Sequence, residues 1–378
     1  MLKFELLKIY REKTIYILSA VLALVIFAPF LIGNSQLDIL EYYENNYQAN
    51  ITTIEDIKDD PTAAGTIKDI KEVNGYLGEM IKAIKNGNDK ENVNSELKYE
   101  NKNLEDMTAG KLDAGPLVDQ KAKVVILQYL NDKNIKKISN NVKDIGSINY
   151  LSMIFSTPQI VLIILILISF HIVYIFNLDY RKNNFMVYNS SPKSYLQIFF
   201  TKFSANMLSV IVNMASIFTL VLSIVGVKNG LGASRYPIAT IQNNSDVSII
   251  STSDFLLKVF TFLFLFLIFI GLLALFVSLL SSNLILNISL IILPLILGQY
   301  DLLNTFLSEN VKPFIILSYI DISLIIMGGN GFYPITNPAI TFNNGILLLS
   351  LSVGLLLIVL FYLLSNFPKK LIYMKFLK

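Results

Sequence analysis

The 378-residue chain has no cysteine and only one histidine, His171. Without cysteine there is no disulfide, no thiolate metal site and no cysteine nucleophile. One histidine inside an apolar run does not make an imidazole metal cage and argues against a serine triad, so His171 reads as a packing or pore-facing residue. The phosphate-cradling pattern Gly-x-x-x-x-Gly-Lys-Ser/Thr is also missing; Gly110-Lys111 lacks both the upstream glycine and the following hydroxyl. The chain therefore has no backbone cradle with which to hydrolyse ATP by itself. A formal net charge of +3 gives no reason to expect nucleic acid. No cluster of His, Cys or carboxylates marks an intramembrane enzyme.

What is present is apolar. Hydrophobic residues make up 53% of the chain and the mean hydropathy is +0.56, values that point to a bilayer as solvent. A span needs about 20 mainly apolar residues. Six stretches qualify, near Ile15 to Gly33, Gln159 to Asn177, Phe203 to Gly226, Phe255 to Leu280, Leu284 to Phe306 and Ile346 to Leu364. The fifth is interrupted by Pro294 and Gly298 and carries Asp301 near its end. The expected fold is an all-α integral membrane protein with six transmembrane helices and a helical extracytoplasmic domain inserted between helices 1 and 2.

Basic residues in short loops set the orientation. Lys3, Lys8, Arg11 and Lys13 precede the first span, Arg181, Lys182, Lys193 and Lys202 follow the second, and Lys369, Lys370, Lys375 and Lys378 follow the sixth. The opposite short loops carry only Lys228, Arg235 and Lys312. Both termini are thus expected in the cytoplasm. The basic start and long apolar core read as an uncleaved signal anchor rather than a cleaved signal peptide. The Lys, Ile and Asn bias points to the plasma membrane of a Gram-positive bacterium.

Residues 34–150 change abruptly to Lys, Asn, Asp and Glu, with 15 Lys against 20 acidic residues, a net −5. Apolar residues recur there at helical spacing: Leu40, Tyr43, Tyr47, Ile51 and Ile54, then Ile67, Ile70, Val73, Leu77, Met80 and Ile84, then a third set from Val125 to Ile138. Several amphipathic helices follow, divided by turn signals at Asp60-Pro61, Gly65, Asn86-Gly87-Asn88 and Gly115-Pro116. The insertion is either a gate or cargo-contacting cap, or a solvated spacer.

Two cytoplasmic features carry the functional argument. Residues 1–14 place Leu2, Leu6, Ile9 and Tyr10 on one face of a helix and Lys3, Arg11 and Lys13 elsewhere, as in a helix lying in the membrane interface. The loop 179–202 runs from Asp179 through a short helix to a Ser-Pro turn at Pro192 and a second helix start at Ser194. On these residues the chain resembles a permease subunit of the ABC-2 type exporters, in which a basic interfacial elbow helix leads into the first span and the second-to-third-span loop forms a coupling helix. Asp179 stands at the family's acidic position, Pro192 at its proline, Lys193 near its basic residue and Lys202 at its lysine; Asn184 stands where glycine is common.

The resemblance implies a partner-coupling set of Asp179, Phe185, Met186, Tyr188, Pro192, Lys193 and Lys202, and an elbow of Leu2, Leu6 and Arg11. It further implies a cytoplasmic ABC ATP-binding subunit that carries ATP and Mg, a second permease copy forming a homodimer, and no cofactor in this chain. Residues 309–344 are too polar for a full crossing and resemble the family's re-entrant segment before the last span. Asp301 and Asp321 either mark the outer headgroup level or, with His171, belong to a pathway or outer gate. Lys258, one turn after Asp254, reads as a snorkelling or paired lysine. Few charges in the spans suit amphipathic cargo, first of all antimicrobial or toxin peptides. The competing reading is a peptide-sensing or immunity membrane protein that binds ligand with its insertion without transport.

Overall fold

The computed structural model describes residues 1–33, 39–139, 141–182, 193–242, 246–299, 307–329, 333, 335 and 337–366. The chain is mostly helical, and among the described residues five helices are long and apolar enough to cross a membrane: α2 (Lys13–Ile32), α8 (Pro158–Phe176), α10 (Tyr195–Asn229), α11 (Thr252–Leu280) and α14 (Phe342–Asn366). α12 (Leu284–Gln299) is equally apolar but has 16 residues, about 24 Å of helix. That is short of the ~30 Å hydrocarbon core.

Local chemistry explains several boundaries. Ser194 caps α10 by accepting the Gln197 N–H at 3.3 Å. Ser251 caps α11 by accepting the Asp254 N–H at 3.1 Å, and its own hydroxyl donates to the Asp254 carboxylate at 2.7 Å. Pro158 opens α8 at its first position, where a missing N–H costs nothing. α7 (Ser147–Ser156) leads into it, and its buried Tyr150 donates to the Ile26 carbonyl of α2 at 2.6 Å.

α8 and α11 occupy the centre of the bundle, with buried side chains on most of their turns. α2, α12 and α14 pack around them and expose large apolar side chains such as Leu24, Ile285, Leu293, Leu355 and Ile358. Such a surface suits lipid rather than water.

The described residues of the insertion form four long helices, α3 (Ile39–Ile57), α4 (Ala64–Lys85), α5 (Asp89–Thr108) and α6 (Leu117–Lys133), each packed on the next. Asn88 caps α5 and Pro116 precedes α6, so those turn signals act as turns. Gly65 does not; it lies inside α4. α5 is absent from the apolar periodicity because its packed face is partly polar, with Ser95, Glu96 and Glu100 buried beside Val93.

Among the described residues one hairpin departs from the helical pattern. β1 (Pro237–Gln242) and β2 (Asp246–Ser251) form an antiparallel hairpin in the register Thr240↔Ser248, whose hydroxyls meet at 2.7 Å. The hairpin packs on α6, and β1 also touches α13 (Ile322–Met327). Gly328, at φ +76°, ends α13 so close to β1 that a Cβ there would lie 1.9 Å from the Ile241 carbonyl oxygen. Only glycine fits that contact.

Candidate functional site

α1 (Leu2–Tyr10) lies against the start of α10 and anchors there through Ile9, which packs with Ile15, Ile175 and Ala205. Its buried stripe runs through Glu5 and Ile9, while Leu2, Phe4, Leu7 and Tyr10 are exposed. Leu6 packs at the edge of the Ile9 cluster, and Arg11 is exposed just past the helix end. The helix thus turns part of its charge inward and apolar side chains outward. In water this arrangement would be costly, whereas against lipid it is favourable.

The inward charges meet a carboxylate from the end of the second apolar helix. Asp179, in the single turn α9 (Leu178–Arg181), accepts from Lys8 through Oδ1 at 2.8 Å and from Lys202 of α10 through Oδ2 at 2.7 Å. Lys8 also pairs with Glu5 at 2.5 Å. The Asp179 side chain is 4% exposed, and those of Lys8 and Lys202 are 12% and 13% exposed. Two acids and two bases therefore neutralise one another in a buried quartet drawn from three segments.

Burial pushes the Asp179 carboxyl up, but the ammonium groups of Lys202 and then Lys8, with the hydrogen bonds they donate, outweigh it and hold it below its ordinary value. A second bridge lies alongside. Glu12 is ion-paired with Lys182 and accepts from the Tyr174 hydroxyl at 3.4 Å. That hydroxyl is 2.7 Å from Thr14 Oγ1, and the Arg181 guanidinium stacks 3.9 Å from the Tyr174 ring centre. α1, the start of α2, the end of α8 and the start of α10 are consequently tied at one end of the bundle.

A polar seam continues from there into the bundle. Asn177 Oδ1 accepts from Asn287 Nδ2 at 2.9 Å, joining α8 to α12. Asn206 Nδ2 donates to the Ile172 carbonyl at 2.9 Å, joining α10 to α8. Amides of this kind hold apolar helices together where the hydrophobic effect gives no preference.

The structure brings Asp179 and Lys202 together with the N-terminal helix. Lys193 is exposed just before α10. Phe185, Met186, Tyr188 and Pro192 lie outside the described residues, as does Asp301. His171 makes a separate contact, its Nε2 3.2 Å from Ser209 Oγ in the α8–α10 packing. Asp321 caps α13, accepting the Leu324 N–H at 3.2 Å and the Ser323 hydroxyl at 3.0 Å, and takes a bond from Gln299 Nε2 at 3.3 Å. Lys258 lies over the Phe342 ring at 5.8 Å.

Sequence reasoning missed Glu5, Glu12 and Tyr174. The available signal was the spacing Glu5–Lys8–Glu12, which puts three charges on the face that also carries Ile9. Acids inside a basic leader have a local partner or a tertiary one.

The insertion holds the second candidate feature, a cavity of about 1250 Å3 among α3 to α6, reached also by Tyr236 from the segment before β1. Among the described residues no group of three His, Asp or Glu side chains could hold a metal ion. Comparison with protein families, curated proteins and solved structures finds no match to this chain.

Proposed function

We propose that the chain is the membrane subunit of an ATP-driven exporter, receiving motion from a separate ATP-binding subunit through α1 and the 179–202 loop. The observation that carries this reading is the Lys8–Asp179–Lys202 bridge. It makes the N-terminal helix, the end of α8 and the start of α10 one mechanical unit, so a push on the loop reaches three helices together. Rigid coupling of this kind is what a chain without its own phosphate cradle needs in order to use a partner's ATP and Mg.

In this reading the apolar run that contains α12 is the fifth of six spans, and both termini face the cytoplasm of a plasma membrane. The insertion and the hairpin then lie outside, and the turns between Lys312 and Met327 dip into the outer leaflet. Two copies of the chain, with two ATP-binding subunits, enclose a pathway for amphipathic or hydrophobic cargo, with peptides first. Closure of the ATP-binding subunits rocks the tied helix ends, and access alternates at the interface between copies.

The test is co-purification. The chain co-expressed with the ATP-binding subunit encoded beside it should retain that subunit, and polar replacements across Phe185 to Tyr188 should release it. Retention by that variant, or an adjacent reading frame that encodes no ATPase, overturns the reading. The insertion's cavity favours one other function, a peptide sensor or immunity protein that binds without transport. Ligand binding that leaves ATP hydrolysis in the reconstituted complex unchanged would select it.

A further inference from the structure

The cavity in the insertion has the volume and wall chemistry of a binding site. At about 1250 Å3 it exceeds the ~300–1,000 Å3 typical of small-molecule sites, so its occupant is of peptide size. Tyr42, Tyr43, Tyr99 and Tyr236 present rings to it, and Ile70 and Leu77 add apolar wall. Tyrosine faces take both apolar side chains and cations. The Tyr43 phenol makes no hydrogen bond to any described residue. Burial, and then the nearby Glu96 and Glu100, raise its pKa, so it stays a neutral donor beside two carboxylates.

Glu96 is already paired with Lys137, at 2.6 and 2.7 Å, whereas Glu100 is fixed and its counter-ion is not. Glu96 and Glu100 are each 8% exposed. Gln120 and Asn103 hold Glu100 through Oε2 at 2.7 and 3.2 Å. Its Oε1 has one partner among the described residues, Lys123 at 3.5 Å, and that lysine side chain is 64% exposed. A long pair to an exposed lysine is worth little. An incoming ammonium or guanidinium can therefore replace Lys123 on an anion already in place, within an insertion of net charge −5.

We propose that this cavity binds a cationic amphipathic peptide, with apolar or aromatic side chains against the tyrosines and a lysine or arginine on Glu100. The site is built by the insertion with Tyr236 from the segment before β1 and goes beyond the transport reading, serving export and sensing equally.

The experiment uses the full chain in nanodiscs of zwitterionic lipid and a fluorescent ten-residue peptide of alternating Leu and Lys ending in Phe. A second peptide carries Glu in place of Lys, and empty discs report lipid binding. The expected result is saturable binding of the cationic peptide only, weakened at least tenfold by Glu100→Gln, by Tyr43→Ala and by added salt. Ala49→Trp, at an exposed cavity-lining position, narrows the space while keeping every recognising group, and should weaken binding with helix content unchanged. Equal binding of the acidic peptide or of empty discs, unchanged affinity in Ala49→Trp, or no saturable binding overturns the site. None of these readouts involves an ATPase, so a failed co-purification does not touch them.

Discussion

Lys8 and Asp179, 171 positions apart in the chain, meet at 2.8 Å with the carboxylate almost wholly shielded from solvent. Lys202 completes the contact from the opposite oxygen. A carboxylate shared by two ammonium groups is a hub, because its loss removes a partner from Lys8 and from Lys202 at once.

Asp179→Asn should therefore destabilise the chain strongly, by about 3–5 kcal/mol as for other broken buried pairs. Lys8→Met takes a base from both Asp179 and the buried Glu5 and should destabilise as well. Thermal unfolding in one detergent, with the double variant closing the cycle, measures the coupling. Equal stabilities of wild type and Asp179→Asn would show that the bridge contributes nothing.

The same carboxylate predicts a pH dependence. Its native pKa lies below the ordinary 3.8, so the unfolded chain binds the proton more readily. The bridge's stabilisation is complete above the unfolded value and is lost as pH falls through the native one. The unfolding midpoint of wild type should drop on acidification below pH 3.8 more steeply than that of Asp179→Asn, and parallel curves would refute this.

Asn287→Ala removes the amide that donates to Asn177 and to the Ser281 carbonyl at 2.9 Å each. Interhelical bonds between apolar helices are worth about 0.6 kcal/mol on average and up to ~1.7. A loss in that range, read from unfolding in mild detergent, is the expected outcome. A much larger loss would mean that Asn287 also positions the turn before α12.

Two glycines separate close approach from simple helix content. Gly328→Ala combines a positive φ with a 1.9 Å approach to the Ile241 carbonyl and should destabilise the α13–hairpin contact. Gly354→Ala meets nothing within 4 Å in the middle of α14 and should stabilise by roughly 0.5–1 kcal/mol. Thermal shifts of opposite sign are expected; a neutral Gly328→Ala would place the close contact in doubt.

Much of the fold follows from local pattern. Long apolar runs mark α2, α8, α10, α11 and α14, and the spacing of Ile67, Ile70, Val73 and Leu77 marks α4. The hairpin had a signal as well: Ile238, Thr240, Ile241 and then Val247, Ile249, Ile250 flank Asn243-Asn244. It was hidden between two far stronger apolar runs. α5 gives no apolar pattern because Glu96 and Glu100 occupy its packed face, held by Lys137 and Gln120 from α6 and the segment after it.

By itself the sequence determined what depends on composition and on neighbours three or four residues apart: apolar helices, the polar insertion and its turns; a family resemblance, not local pattern, singled out Asp179 and Lys202. Tertiary structure alone decided that Glu5 and Lys8 join them and that four helices of the insertion leave a tyrosine-lined cavity. Charges bury themselves only where distant segments supply the opposite sign, and a cavity is defined by walls no single segment contains. Neither condition can be written in a local spacing.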